Sequence, residues 1–217
     1  WQIKRRRTLS HLLFSHLRLI KMTSTIDAIL SFWFGELNDK GLCDNDHNTM
    51  WFKSSAHTDA QCRNLFGESV SRAIAGDLDL WTTSNDGLIA MTLLLDQFTR
   101  NIYRGTAAAF SGDQRALELV RKAILENRQL HLPAIHRVFL YMPLEHSEDI
   151  ETQDICVALF AELVSEINDS SIESFHRFAV AHRDVIAQFG RFPHRNAILD
   201  RQSTAEELDY LHSHGGF

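Results

Sequence analysis

Residues 85–103 read NDGLIAMTLLLDQFTRNIY, and from Leu88 to Phe98 the apolar side chains leave no polar face. A helix with this pattern has no side suited to water, so it has to be buried on most sides. The flanking text supplies the helices that would bury it. Upstream, Ile26, Ile29, Leu30 and Trp33 form a short apolar face that ends near Gly35. A polar stretch, 38–48, reads as a loop. Residues 55–75 then read as a longer helix with Cys62, Leu65, Phe66, Val70, Ala73 and Ile74 inside and Gly76 as its stop.

Downstream, Ser111-x-x-Gln114 has the form of a capping box. The helix it opens has a stripe of Ala116, Leu117, Val120, Ala123 and Ile124, with Glu118 and Lys122 one turn apart outside. The next helix is expected to end near Met142, where Pro143 removes a donor and blocks continuation. Ile155, Leu159, Phe160, Leu163 and Ile167 mark a further amphipathic helix. Residues 172–189 form another, with Phe175, Phe178, Ala179, His182, Val185, Ile186 and Phe189 on one face. Ser203-x-x-Glu206 is read as the cap of the last helix. No run of alternating apolar residues suggests a sheet, and prolines number only 3. The expected fold is all-α, one domain over 22–217 of about eight helices.

The composition fits this reading. In 217 residues, 44% are hydrophobic and 23% charged, ordinary values for a globular chain with a sizeable core. The 3 cysteines show no CxxC spacing, which argues against a disulfide framework or a cysteine zinc site and for a reducing compartment. The net charge of −6 is unevenly spread. Six of the 22 Lys and Arg residues fall in residues 1–21, which contain no acid, so the rest carries 16 basic against 28 acidic side chains. An acidic body repels a phosphate backbone and excludes a nucleic-acid-binding face, while leaving room for a local cationic pocket.

Residues 1–21 are Arg-rich and amphipathic, the pattern of a mitochondrial-type presequence and also of translated upstream sequence. The chain starts at Trp1, and Met22 opens a more ordinary N-terminus. This segment is expected to lie outside the folded domain. The remainder is expected to be cytoplasmic, or mitochondrial if the segment is a genuine presequence. Its apolar run is too short and interrupted to span a membrane.

Charged residues set among apolar ones mark the candidate site. Asp96 and Arg100 sit one turn apart with the acid N-terminal, the favourable order for an ion pair. Gln97 and Asn101 repeat that spacing, and Arg104 follows. A second block is Glu145-His146-Ser147-Glu148-Asp149 after Pro143, where His146 and Asp149 stand at i,i+3, close enough in a helix for the carboxylate to orient the imidazole. It lacks a second histidine at ligand spacing, so no metal is assigned to it. His182 lies on an apolar face, as a satisfied core histidine or a pocket histidine, with Arg183 beside it. The third block is Phe189-Gly190-Arg191-Phe192-Pro193-His194-Arg195-Asn196. Gly190 serves as a helix stop and Pro193 forces Phe192 into an extended conformation, leaving Arg191, His194, Arg195 and Asn196 as fixed donors. Their expected partners are Asp96, Glu148 and Asp149, or an anionic ligand.

Taken together, these blocks resemble the bacterial "domain of unknown function nine-two-four" family. The resemblance rests on IDAILSFWFG at 26–35, LDQFTRN at 95–101 with Tyr103-Arg104-Gly105, and PLEHSED at 143–149. It continues through His182-Arg183, FGRFPHRN at 189–196 and STAEE at 203–207, and covers nearly all of 25–211 in order. It implies a tetratricopeptide-like fold of antiparallel helix pairs, and brings no reaction or cofactor. Glu145 and Asp200 depart from the family pattern, where an apolar residue and a glycine are expected.

Three functions are compatible with these residues. One is a pocket for a small anionic molecule or peptide, with Asp96, Arg100, Asn101, Arg104, Glu148, Asp149, Arg183, Arg191, Arg195 and Asn196 as its binding residues. Another is hydrolase-type chemistry with His146, His182 or His194 as general base, although GxSxG, P-loop and HExxH motifs are absent from the sequence. The third is an interaction scaffold in which the polar blocks only brace the fold. No cofactor is indicated, and the oligomeric state is not legible.

Overall fold

The computed structural model describes residues 25–53 and 55–216, and the reading of residues 1–21 lies outside them. Among the described residues every regular element is helical. Helix α1 spans 25–34 and buries Ile26, Ile29, Trp33 and Phe34. Helix α2, Asn45–Phe52, takes in the last four residues of the stretch read as a loop, while 38–44 is non-helical as expected. Its side chains carry little helical periodicity. Its start is instead fixed by Asp44, which accepts from the His47 N–H at 2.9 Å, and Trp51 Nε1 donates to the Trp33 carbonyl at 2.9 Å.

Helix α3, Ala56–Ala75, runs between a Ser55 cap and a left-handed Gly76 as expected. Leu65, assigned to its inner side, is 61% exposed, because the buried stripe is Cys62, Phe66, Val70 and Ala73. After a 3₁₀ turn at Asp79–Thr83 comes the central helix, in three consecutive pieces. These are α4 at Asn85–Thr92, a π-helical segment at Leu93–Phe98, and α5 at Thr99–Ile102. From Gly87 to Asp96 every side chain is buried, as the apolar run required.

Helix α6, Asp113–Leu125, starts one residue after Gly112, and the Ser111 hydroxyl donates to the Ala108 carbonyl rather than capping the helix. A Cβ on Gly112 would come within 2.1 Å of the Leu95 carbonyl oxygen. The helix start therefore lies directly against the π segment. Helix α7, Ala134–Glu145, is buried along its whole length and runs through Pro143 instead of stopping before it. A proline inside a helix costs about 3 kcal/mol, but Leu144 and Glu145 are buried beyond it and the His146 N–H closes the last turn on the Met142 carbonyl at 2.9 Å.

Helices α8, Ile150–Ile167, and α9, Ser170–Phe189, form an antiparallel hairpin across a left-handed Asn168. Ile155 and Phe178 are 51% and 47% exposed, so each stripe is narrower than the sequence implied. Gly190 ends α9 with φ of +69°, and Phe192 is extended and fully buried, both as expected. Helix α10, Ala205–His214, is capped one residue later than read, by Thr204 with Glu207 completing the capping box. Asp200, at the position where a glycine is expected, adopts φ of +53°.

One apolar core joins α1, α3, the central helix, α6, α7, α8 and α9. Its centre is aromatic: Trp33 lies 5.1 Å from Phe98 and 5.7 Å from Phe139, ring to ring. Burying one such ring is worth about 1.5–3 kcal/mol. A smaller cluster of Val185, Ile186 and Phe192 carries the C-terminal region. The central helix and α7 are the two elements with no exposed face, and the π segment packs against α7. Their C-terminal ends carry the polar blocks, and α9 and the 193–195 turn close over them.

Candidate functional site

Asp96 sits inside the π-helical segment, 1% exposed. Such segments widen the helix by one residue per turn and recur at functional sites. The Asp96 carboxylate accepts from His146 Nδ1 at 2.7 Å and from Gln97 Nε2 at 2.6 Å, and pairs with Arg100 at 3.1 Å. Burial alone would favour its neutral form, but Arg100 and these donors hold its pKa well below the usual carboxylate range. An ionised buried acid therefore orients His146. The sequence had offered Asp149 for that role. Asp149 instead caps α8, accepting from the Thr152 N–H at 3.0 Å.

A cleft of about 300 Å³ opens beside this pair, lined by Arg100, Arg104, Phe110, His146, His182, His194 and Arg195 among others. Three sequence blocks separated by as much as a hundred residues thus share one chamber. Burial depresses all three histidines: His182 to about 3, His194 to about 4, and His146 in the same direction. The positive charge of the cleft near pH 7 belongs to its arginines.

Those arginines differ in what they already hold. Arg100 makes a two-pronged bond to Asp113 at 2.8 and 3.0 Å, and Arg104 does the same with Asp59 at 2.7 and 2.8 Å. Arg195 is 8% exposed in its side chain, and its nearest acid is Asp113 at 3.9 Å. Its guanidinium donates no hydrogen bond to a described residue, and Nε is a buried donor without an acceptor. It lies against two rings, 4.4 Å from the centre of Phe192 and 4.9 Å from that of Phe110. Burial, then the neighbouring Arg100, lower its pKa to about 10, so it remains cationic near neutrality.

Other sequence candidates frame the cleft or stand apart. Asn101 donates to Asp59 at 2.8 Å. Arg191 and Asn196 converge on Glu207, Arg191 at 2.6 and 2.8 Å and Asn196 at 3.1 Å. Glu148 accepts from the Phe192 N–H at 2.8 Å and from Arg201 at 2.7 and 3.0 Å. Arg183 pairs on the surface with Asp154 at 2.9 Å. The Arg and Asn donors of 191–196 therefore bond to Glu207, or ion-pair with Asp113, rather than meeting the acids first matched to them.

The residues that sequence reasoning missed are Asp113, Phe110 and Glu207, and Glu145 was named within its block without a role. The first three stand in surroundings that look ordinary for helix ends and loops. Glu145 did carry a signal, as an acid closing an otherwise apolar run beside His146. It is 6% exposed, and burial followed by the nearby Asp96 pushes its carboxyl up to about 8. Elsewhere, a depression lined by Thr82, Lys122, Glu126 and Arg128 also holds charge, but Arg128 is spent on Asn85 and the Thr82 carbonyl.

The family described as "Bacterial protein of unknown function (DUF924)" matches residues 29–215. A solved structure of a protein of unknown function from Agrobacterium tumefaciens is similar at 31% identity and a TM-score of 0.75, covering 88% of this chain and 98% of that one. No curated protein matches the chain.

Proposed function

This chain belongs to the DUF924 family of bacterial proteins of unknown function, and on that premise we propose from its cleft that it binds a small anionic molecule or an anionic peptide group. The observation that carries this is Arg195. A buried guanidinium whose Nε finds no acceptor among the described residues is costly to fold around, and rings on two sides hold it in place. A phosphate, sulfate or carboxylate in the cleft would supply the missing acceptor in the planar geometry that arginine favours. Asp113, bonded to Arg100 at 2.8 Å and 3.9 Å from Arg195, holds the pair at a fixed spacing while leaving the Arg195 donors open to a ligand.

The test is a thermal-shift series of phosphate, sulfate and simple carboxylates on wild type and on Arg195→Gln. A ligand at a hundred times its dissociation constant adds about 2.7 kcal/mol of stability, or roughly 5–10 °C in a chain of this size. The shift is expected in wild type and absent in Arg195→Gln. An Arg191→Gln variant, altered at the Glu207 contact outside the cleft, should keep it. If no anion raises the melting temperature, or Arg195→Gln responds like wild type, the reading fails.

A further inference from the structure

The last turn of α7 and the middle of α9 bring together three side chains of metal-ligand type. One ligand atom each from Glu145, His146 and His182 lies within 4.8 Å of the others. None of the three side chains is more than 16% exposed. The second histidine absent from the local sequence is thus supplied by another helix, 36 positions on.

Both rings are held by the same nitrogen. His146 Nδ1 meets the Asp96 carboxylate at 2.7 Å, and His182 Nδ1 meets the Phe178 carbonyl at 2.9 Å. A backbone carbonyl and an ionised carboxylate can only accept, so Nδ1 carries the proton in each ring and Nε2 presents the lone pair. Metal-binding histidines are fixed in this way, their other nitrogen donating to a carboxylate or carbonyl behind them. Glu145 supplies an independent observation. Its buried carboxylate is 3.4 Å from His182 Nδ1, the protonated edge of that ring, so an ion shared with Nε2 is reached by turning the ring or the carboxylate. A buried carboxylate in that position needs a proton or a cation to be tolerated.

The geometry points to a divalent transition-metal site formed by Glu145, His146 and His182, with Asp96 as the carboxylate behind His146. Two imidazoles and one carboxylate are the ligand set of open zinc and non-haem iron sites, which keep positions for water or substrate. An ion with bonds of about 2.1 Å at tetrahedral angles spaces its ligands about 3.4 Å apart, so side-chain adjustment alone closes the cluster. His146 and His182 line the cleft that holds Arg195, so an anion there can meet both the ion and the guanidinium. The site goes beyond the anion pocket and does not depend on it.

Full-length protein stripped with a chelator is titrated with Zn²⁺ by calorimetry and with Co²⁺ by visible absorption. One ion per chain is expected, with the strong visible bands of low-coordinate Co²⁺. Glu145→Gln and His182→Gln should each weaken binding by at least about tenfold. A His212→Gln/His214→Gln variant, altered in the exposed last helix, should bind as wild type does. Circular dichroism establishes that each variant is folded, and Glu145→Gln decides alone if His182→Gln is not. Absence of one-to-one binding in wild type, or unchanged affinity in Glu145→Gln, overturns the proposal. Phosphate shifts measured in chelator then report the anion pocket separately.

Discussion

At the scale of single residues, the polar blocks divide by whether their charges are fully used. Glu207 is 2% exposed and accepts from Arg191, from Asn196 and from the Thr204 N–H. Arg191 chiefly, with these donors and against the effect of burial, holds its carboxyl down at about 2. A depressed carboxyl contributes stability that is complete above its ordinary value near 4.5 and is lost as pH falls toward 2. Glu207→Gln should therefore cost about 2–3 kcal/mol near neutrality. The gap to wild type should close as the medium is acidified through that window, in urea titrations at several pH values. A constant gap from pH 7 to pH 2 would mean the carboxylate charge plays no part. Arg195 stands on the other side of the division, with donors its fold does not use. That contrast separates a brace from a site, a choice the FGRFPHRN segment alone left open.

At the scale of elements, the junction between the π segment and α6 places Asp96 and Asp113 on either side of Arg100. Gly112 allows it, because any larger residue puts a carbon against the Leu95 carbonyl. Gly112→Ala is expected to cost about 1–3 kcal/mol or more, the range for overpacking a close contact. It should also weaken the anion-dependent thermal shift, since moving α6 moves Asp113. A variant as stable and as responsive as wild type would show that the contact relaxes without consequence. Much at this scale was legible. The buried central helix, the α3 boundaries, the Gly190 stop and the extended Phe192 all follow from apolar pattern, caps and proline sterics. The errors share a cause: α2, the run through Pro143 and the displaced caps are places where contacts from elsewhere outweighed a local preference of a few kcal/mol or less.

At the scale of the whole molecule, α10 is joined to the rest differently from the other helices. Its buried residue is Glu207, an acid, and its main apolar contact is Tyr210 on Phe189 at 5.2 Å. An element docked with so little apolar area belongs to the low-stability end of the molecule. Hydrogen exchange should show α10 amides opening well before those of α4 and α7, and earlier still in Glu207→Gln. Equal protection across these helices would refute that ordering. No helix among the described residues is long and apolar enough to cross a membrane.

The all-helical class, the identity of the core helices and the stretches holding the unusual polar residues were all present in the sequence. Periodicity and capping report which face of its own element a residue occupies. Which acid meets which base was decided only in three dimensions. Asp96 to His146, Arg195 to the cleft and Glu145 to His182 span tens of residues, and their geometry depends on how helices pack. A charge one ångström nearer or farther changes partners, and sequence spacing between separate elements carries no such distance.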